Sequence, residues 1–569
     1  MRRCSLNRGI GCALDGDEEC SDVDDDQSED GLHDLPTFNN GSPQRGRRKN
    51  IVENRSNRER AVKGQACPLG DCPSGQERAS WGCKPTLLAC DAMTEAKQTG
   101  RLKKPSGESE LVQREAGLQH QLSAAQVAMI ALGSTIGTGL FLTSAISVKL
   151  AGPAVILSFA VGALITLTVM WALAEMAVEH PAAGSFGLYA EMYLGPWAGF
   201  VARYTYWLCL VIIVGSEVAA AGIYCRFWFP NIPSWLWISG FSAALIYMNT
   251  LSIKNFGTIE FWFAMIKVVT IVAFLILGTA LVMGFGFPRI GTGNFTAHGG
   301  FFPNGWTGVG LGVTMAIFSF LGLEIVGVTA GEAVDAKTAV PRALKRTLGF
   351  LALFYLGGLA LVVGIVPWEQ IGIDKSPFVT VFEKVGIPAA GHIMNFVVLS
   401  AALSSALCNL YFTARMLFSL SRGGYAPGIL GKLSKRGMPV AAVLASSLGM
   451  AAAIALNWKF KNTAFLFLIG VAFFGGPFIW IMTLATHVAF RRKMRREGRE
   501  FARFAPPGYW SSAIGLVALL GVLLSTWWVP NFHVSLLSGP PWLGFLTLCY
   551  FIWRAYQQRK PVDGTIKND

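Results

Sequence analysis

A lysine at 267 and glutamates at 175, 217 and 324 fall inside long apolar runs of this 569-residue chain. An ionisable side chain in a bilayer core costs at least a few kcal/mol on insertion scales, so each is a functional candidate by default. A buried lysine can exchange its proton near neutral pH, which makes Lys267 a candidate proton carrier. A static salt bridge or a snorkelling side chain is the alternative. Glu324 is the second candidate, as proton site or as organiser of the chain around it. For Glu175 and Glu217 inter-helix hydrogen bonding is the plainer job, with Glu217 able to face a vestibule near the outer end of its run. Arg203 stands near the cytoplasmic end of the same run and is expected to snorkel.

A different chemistry is on offer in "ALGSTIGTGLF", residues 131–141. Gly133, Gly137 and Gly139 each weaken helix propensity by about 1 kcal/mol relative to alanine. Thr135 and Thr138 add hydroxyls that compete for backbone groups. Either the glycines serve close helix packing, Gly133 and Gly137 forming a GxxxG pair, or they open the helix. Inside lipid, open backbone survives only where protein or a water-filled cavity surrounds it.

A second interruption favours opening. Residues 318–332 read "FSFLGLEIVGVTAGE", with Gly322, Gly327 and Gly331 punctuating an apolar run that also holds Glu324. Freed N–H groups favour a carboxylate, and freed carbonyls an ammonium group or cation. A zwitterionic amino acid matches both.

Long helices must hold these positions. The chain is 52% hydrophobic and only 15% charged, and about 20 apolar residues span a bilayer as helix. Twelve such runs are legible, near 126–148, 154–178, 197–228, 235–253, 259–286, 308–331, 347–367, 391–420, 438–457, 462–488, 510–529 and 538–556. The interruptions fall in the first and sixth, the corresponding positions of two five-span halves, which is the pattern of a midplane substrate site in an inverted-repeat transporter. The chain is therefore read as an all-α integral membrane protein of about 12 transmembrane helices.

Charge sets the expected orientation, because Lys and Arg concentrate in cytoplasmic loops. One alternate set of loops carries Lys337, Arg342, Lys345 and Arg346, then Arg422, Lys432, Lys435 and Arg436, then "RRKMRREGR" at 491–499, then Arg554, Arg559 and Lys560. Both termini should be cytoplasmic. Attraction to lipid headgroups explains these loops without nucleic acid.

The organisation expected is a cytoplasmic tail over 1–120, a ten-helix transport core over 121–490, peripheral helices over 491–556 and a short tail over 557–569. Residues 1–92 mix an acidic run with an Arg-rich stretch and cannot bury enough apolar surface to fold alone. Met93 begins a plausible short lead into the first span and reads as the natural start, with a regulatory tail as the alternative. Seven of eleven cysteines lie in that tail, at spacings that fit no standard zinc set, and a cytoplasmic location argues against disulfides.

Several ordered motifs carry a family resemblance. "IALGSTIGTGLFLTSA", "EMAVEHPAAGSF" at 175–186, "FGTIEFWFAMIKV" at 256–268, "FSFLGLEIVGVTAGEA" and "RMLFSLSRGGYAP" at 415–427 resemble bacterial amino acid permeases of the amino acid–polyamine–organocation superfamily, over about residues 120–500. The resemblance implies a leucine-transporter-like fold, with spans 1–5 and 6–10 as inverted repeats and broken helices 1 and 6, and proton-coupled uptake of an amino acid. By matching position, the substrate carboxylate would meet N–H groups around Gly137, Thr138 and Gly139. The α-amino group would meet carbonyls near Thr135 and at Phe318, Ser319 and Leu321. Phe318 and Phe320 could cap the substrate, or one of them could simply pack. Lys267 would stand where sodium-coupled relatives hold a sodium ion. With no obvious acidic cluster near the site, a neutral, apolar or small amino acid is expected.

The nearest rival is an exchanger on the same fold. A non-transporting receptor would need a signalling domain, and an enzyme a catalytic set such as H-E-x-x-H or a nucleophile elbow; neither is legible. No cofactor, nucleotide or metal motif is present. The expected partners are an amino acid, protons and the lipid bilayer, and the expected location is the bacterial inner membrane.

Overall fold

The computed structural model describes residues 124–181, 184–251, 253–285, 289–329, 336–372, 376–385, 388–459, 464–499, 509–529 and 531–559. The expectations for the tail, for Met93 and for the seven tail cysteines lie outside these residues.

The described residues fold into helices. In order they are α1 (Ala124–Thr135), α2 (Ser144–Ala151), α3 (Val155–Glu179), α4 (Ser185–Leu194), α5 (Pro196–Cys225), α6 (Ser234–Asn249), α7 (Ile253–Met283), α8 (Gly305–Phe320) and α9 (Ile325–Thr329). Then come α10 (Ala336–Ile365), α11 (Pro377–Val385), α12 (Pro388–Arg422), α13 (Val440–Ser446), α14 (Leu448–Lys459), α15 (Ala464–Ala472), α16 (Gly475–Arg496), α17 (Trp510–Ser525) and α18 (His533–Arg559). Among the described residues, ten helical stretches are long and apolar enough to cross a membrane. One of them, Ala125–Glu179, is 55 residues long and takes in α1, α2 and α3. α6, at 16 residues, is not among the ten.

Burial divides the helices into a centre and a rim. Of the most apolar stretch, 78% is buried in α5, 83% in α12 and 89% in the stretch holding α8 and α9, against 28% in α17 and 22% in α18. The centre is thus α5 against α12, with α1 packed on α12 and α8 packed on α2 and α3. α17 and α18 expose Ile514, Val517, Leu548 and Ile552, as a lipid-facing surface should.

α7 illustrates how one helix serves both environments. Trp262, Val269 and Ile276, seven residues apart, are exposed on one face, while Glu260, Ala264, Lys267 and Ile271 are fully buried on the other. Both faces are largely apolar because lipid and protein interior make the same demand. The inward stripe therefore shows itself by its two charges. The chain is a multi-pass membrane protein.

One expectation is corrected. Arg203 does not snorkel: it is fully buried, and its guanidinium donates to Glu191 Oε2 at 2.7 Å. The cause is α4, which packs along the start of α5 and lays Gly187 against the arginine stem. Glu191, in turn, accepts a bond from the Tyr425 hydroxyl at 3.1 Å. Glu175 does the inter-helix bonding expected of it, with His487 at 2.7 Å and Arg491 Nε at 2.9 Å on the same carboxylate oxygen.

Candidate functional site

α1 stops at Thr135, and regular structure resumes as a π-helical turn over Gly139–Thr143. α8 stops at Phe320, where Leu321 turns extended and Gly322 takes φ +101°, a conformation open mainly to glycine. A buried polar backbone group must find a partner, and several of the freed carbonyls have side-chain donors. Gly133 O accepts from Lys267 Nζ at 2.6 Å, and Ser405 Oγ lies 3.1 Å from Ser134 O. Tyr355 Oη lies 2.7 Å from Ser319 O and 3.3 Å from Thr135 O.

The two interruptions also bond to each other. The Ser134 hydroxyl donates to Gly322 O at 3.2 Å, and the Ser319 hydroxyl to Gly139 O at 2.9 Å. At the N–H side, Gly137 N donates to Thr135 O at 3.1 Å. Thr138 N points at the Glu217 carboxylate, 3.3 and 3.4 Å from its two oxygens.

A narrow cleft opens between these segments. It is lined by Ser134, Thr135, Gly139, Phe318, Leu321 and Gly322 from the interruptions, by Tyr206, Cys209, Leu210, Ile213 and Glu217 from α5, and by Ser405 and Asn409 from α12. Glu324 and Gly476 complete it. The centre of a water-sized sphere can roam only about 30 Å³ of it, room for a water or two.

Most of the expected residues thus come together. Thr135, Gly139, Phe318 and Leu321 line the cleft with Glu324, while Gly137, Thr138 and Ser319 belong to the bonded segments behind it. Phe320 is set apart, packed with Phe159 and Tyr355. Glu324 is fully engaged: Tyr206 Oη donates to it at 2.8 Å, Gly322 N at 3.0 Å and Trp480 Nε1 at 3.2 Å. These bonds tie Glu324 to the turn at Gly322, to α5 and to α16. Lys267 lies behind the cleft, at the 15th of the 31 residues of α7.

Three participants escape the sequence reading, whereas Glu217 does the inter-helix bonding expected of it, to Ser405 on α12 and to Thr138 at the first interruption. Tyr355 and Ser405 give no signal of their own, since a lone Tyr or Ser in an apolar helix reads as packing. Glu260 could have been found: it precedes Lys267 by seven residues, two helical turns on one face. Its Oε1 accepts from Ser404 at 2.5 Å, and its Oε2 is buried with no hydrogen-bond partner among the described residues.

Comparison with known proteins places this arrangement. Residues 126–560 match the family model described as amino acid permease. The chain belongs to the amino acid permease family. Relatives of this permease include an uncharacterized amino acid permease, YtnA, of Bacillus subtilis (strain 168), 37% identical over 438 residues, 76% of this chain and 95% of that one. The gamma-aminobutyric acid permease of the same organism is 36% identical over 78% of this chain and 95% of its own length. The aromatic amino acid transport protein AroP of Escherichia coli (strain K12) is 37% identical over 76% and 95%. Among solved structures, MhsT in complex with L-phenylalanine aligns over 72% of the permease and all of its own chain, with a TM-score of 0.53 at 16% identity; the two share the leucine-transporter-like fold. Members of the permease family are transporters rather than enzymes.

Proposed function

We propose that the permease imports an amino acid across the bacterial inner membrane together with a proton, with both termini cytoplasmic. The observation that carries the reading is the meeting of two interrupted helices at one buried cleft, where backbone groups stand apart from helical bonding. A carboxylate would take the N–H groups at Gly137, Thr138 and Gly139, and the α-amino group the carbonyls of Thr135, Phe318, Ser319 and Leu321. Such contacts read only what all amino acids share. Leu210, Ile213, Phe318 and Leu321 would receive the side chain, which favours a neutral, apolar substrate, in keeping with the relative AroP.

The order of elements supports about twelve spans with two inverted repeats of five. An interrupted helix, a long helix, a short helix of 10 residues and a 30-residue helix follow one another in α1–α5. The same order returns in α8–α12, with 9 and 35 residues in the last two. α17 and α18, buried no more than α7 at 28% and 22%, would as the last two spans be the peripheral pair.

Proton coupling rests on Lys267, a buried ammonium held by a freed carbonyl of the first interruption. Loss of its proton would remove the charge that strengthens this bond and so loosen the segment that contacts substrate. Glu324 is the second group near enough to take part. Uptake by the purified protein in liposomes, with each of the twenty standard amino acids and γ-aminobutyrate, tests the reading. Accumulation of at least one under an inward pH gradient is expected. Transport that requires amino acid on both sides and ignores the gradient would make it an exchanger, and no transport of any would overturn the reading.

A further inference from the structure

The N–H that the substrate carboxylate would use is already bonded to a carboxylate, that of Glu217. Thr138 N lies within 3.4 Å of both Glu217 oxygens, and Ser405 Oγ lies 3.0 Å from Oε1 and 3.1 Å from Ser134 O, with one O–H to give to either. The fit is built for this approach. A Cβ at Gly137 would stand 2.6 Å from Ser405 Oγ and 2.7 Å from Glu217 Oε1, closer than real Cβ atoms come, so only glycine there lets the carboxylate reach the backbone. Glu217 is 4% exposed and lines the same cleft as Phe318 and Leu321.

We propose that Glu217 is a resident occupant of the carboxylate seat, and that an amino acid can take the seat only once Glu217 has accepted a proton and turned from Thr138. The inference rests on the transport reading above, and adds to it the reason why proton and substrate enter together. Two carboxylates cannot share one N–H in a dry cleft, because like charges a few ångströms apart there repel strongly. Proton transfer from external water to a Glu217 oxygen leaves a neutral acid, which can keep the Ser405 hydroxyl as partner while the N–H passes to the substrate.

The other groups near Glu217 do not supply the same switch. Lys267 on α7 and Tyr224 on its own helix are close enough to interact with it electrostatically. Of the remaining titratable groups that line the cleft, Glu324 and Tyr206 are bonded to each other, and Cys209 donates to Ala472 O. α12 brings only the neutral Ser405 and Asn409.

Linkage fixes the sign: if protonation favours substrate, substrate must favour protonation by the same factor. Titration calorimetry on the purified full chain, with the same twenty amino acids and γ-aminobutyrate from pH 5.5 to 8.5, reads this directly. The dissociation constant of whichever binds should rise with pH, by up to about tenfold per unit. Binding at pH 8 in weak buffer should withdraw close to one proton per amino acid. Glu217→Gln should bind at pH 8 at least tenfold more tightly than the wild type, with the pH slope and the proton uptake gone. An unchanged slope in the variant, weaker binding by it at every pH, or no proton uptake by the wild type would each overturn the proposal alone. The uptake measurement needs no variant and stands even if Glu217→Gln fails to fold. Binding of none of the probes would overturn the transport reading, and this inference with it.

Discussion

Lys267 and Glu217 both approach the first interruption, from opposite sides and with opposite tasks. The lysine closes an orphan carbonyl, whereas the glutamate closes an orphan N–H. Lys267→Ala should abolish uptake driven by a pH gradient while leaving amino acid binding within about tenfold, since the substrate contacts remain. Liposome uptake beside equilibrium binding separates the two, and full concentrative uptake would remove Lys267 from the mechanism. Lysine and glutamate in an apolar run announce themselves, so Lys267 and Glu324 were legible in the sequence. Which atoms they meet was not, because Gly133 and Lys267 are 134 residues apart and nothing local pairs them. Phe318 and Phe320 make the same point: two aromatics two residues apart, one lining the cleft and the other wedged beside Tyr355.

At the scale of elements, glycine patterning pointed to the stretches after Thr135 and Phe320, where α1 and α8 end. The partners of the interruptions stayed hidden because periodicity reports which face of a helix is buried and not against what. Gly322 is the position where the backbone itself is most specialised. An alanine there would be strained by at least about 1–2 kcal/mol, and its Cβ would stand 3.1 Å from Ser134 O. Gly322→Ala should therefore lower uptake at least tenfold at normal expression, whereas Gly310→Ala, whose Cβ meets nothing within 4 Å, should stay within about twofold. A second element-level prediction concerns the junction of α3 and α16. Glu175 holds both His487 and Arg491 in buried surroundings, and breaking such a pair from one side costs about 3–5 kcal/mol. Glu175→Gln should lower the thermal unfolding midpoint in detergent by several degrees; an unchanged midpoint would show the pair to be dispensable.

For the whole molecule, the basic loops and the span order give one testable orientation. Trp458, exposed in the last turn of α14, should face outward, and the exposed Arg495 at the end of α16 inward. A cysteine at 458 should react with a membrane-impermeant maleimide on intact cells, and one at 495 only after permeabilisation; the reverse would invert the topology. The tie between the interruptions bears on motion at this scale. Ser134 to Gly322 and Ser319 to Gly139, with Tyr355 near both, fasten α1, α8 and α10 to one another. Among the described residues, the links outward from this group at the cleft run from Thr138 to Glu217 on α5, from Ser134 to Ser405 on α12, from Gly133 to Lys267 on α7, and from Glu324 to Tyr206 on α5 and Trp480 on α16. A tilt of the fastened helices against their surroundings would leave the inner clasp shut and strain these outward bonds, and the one to Glu217 ends on a group that a proton could release.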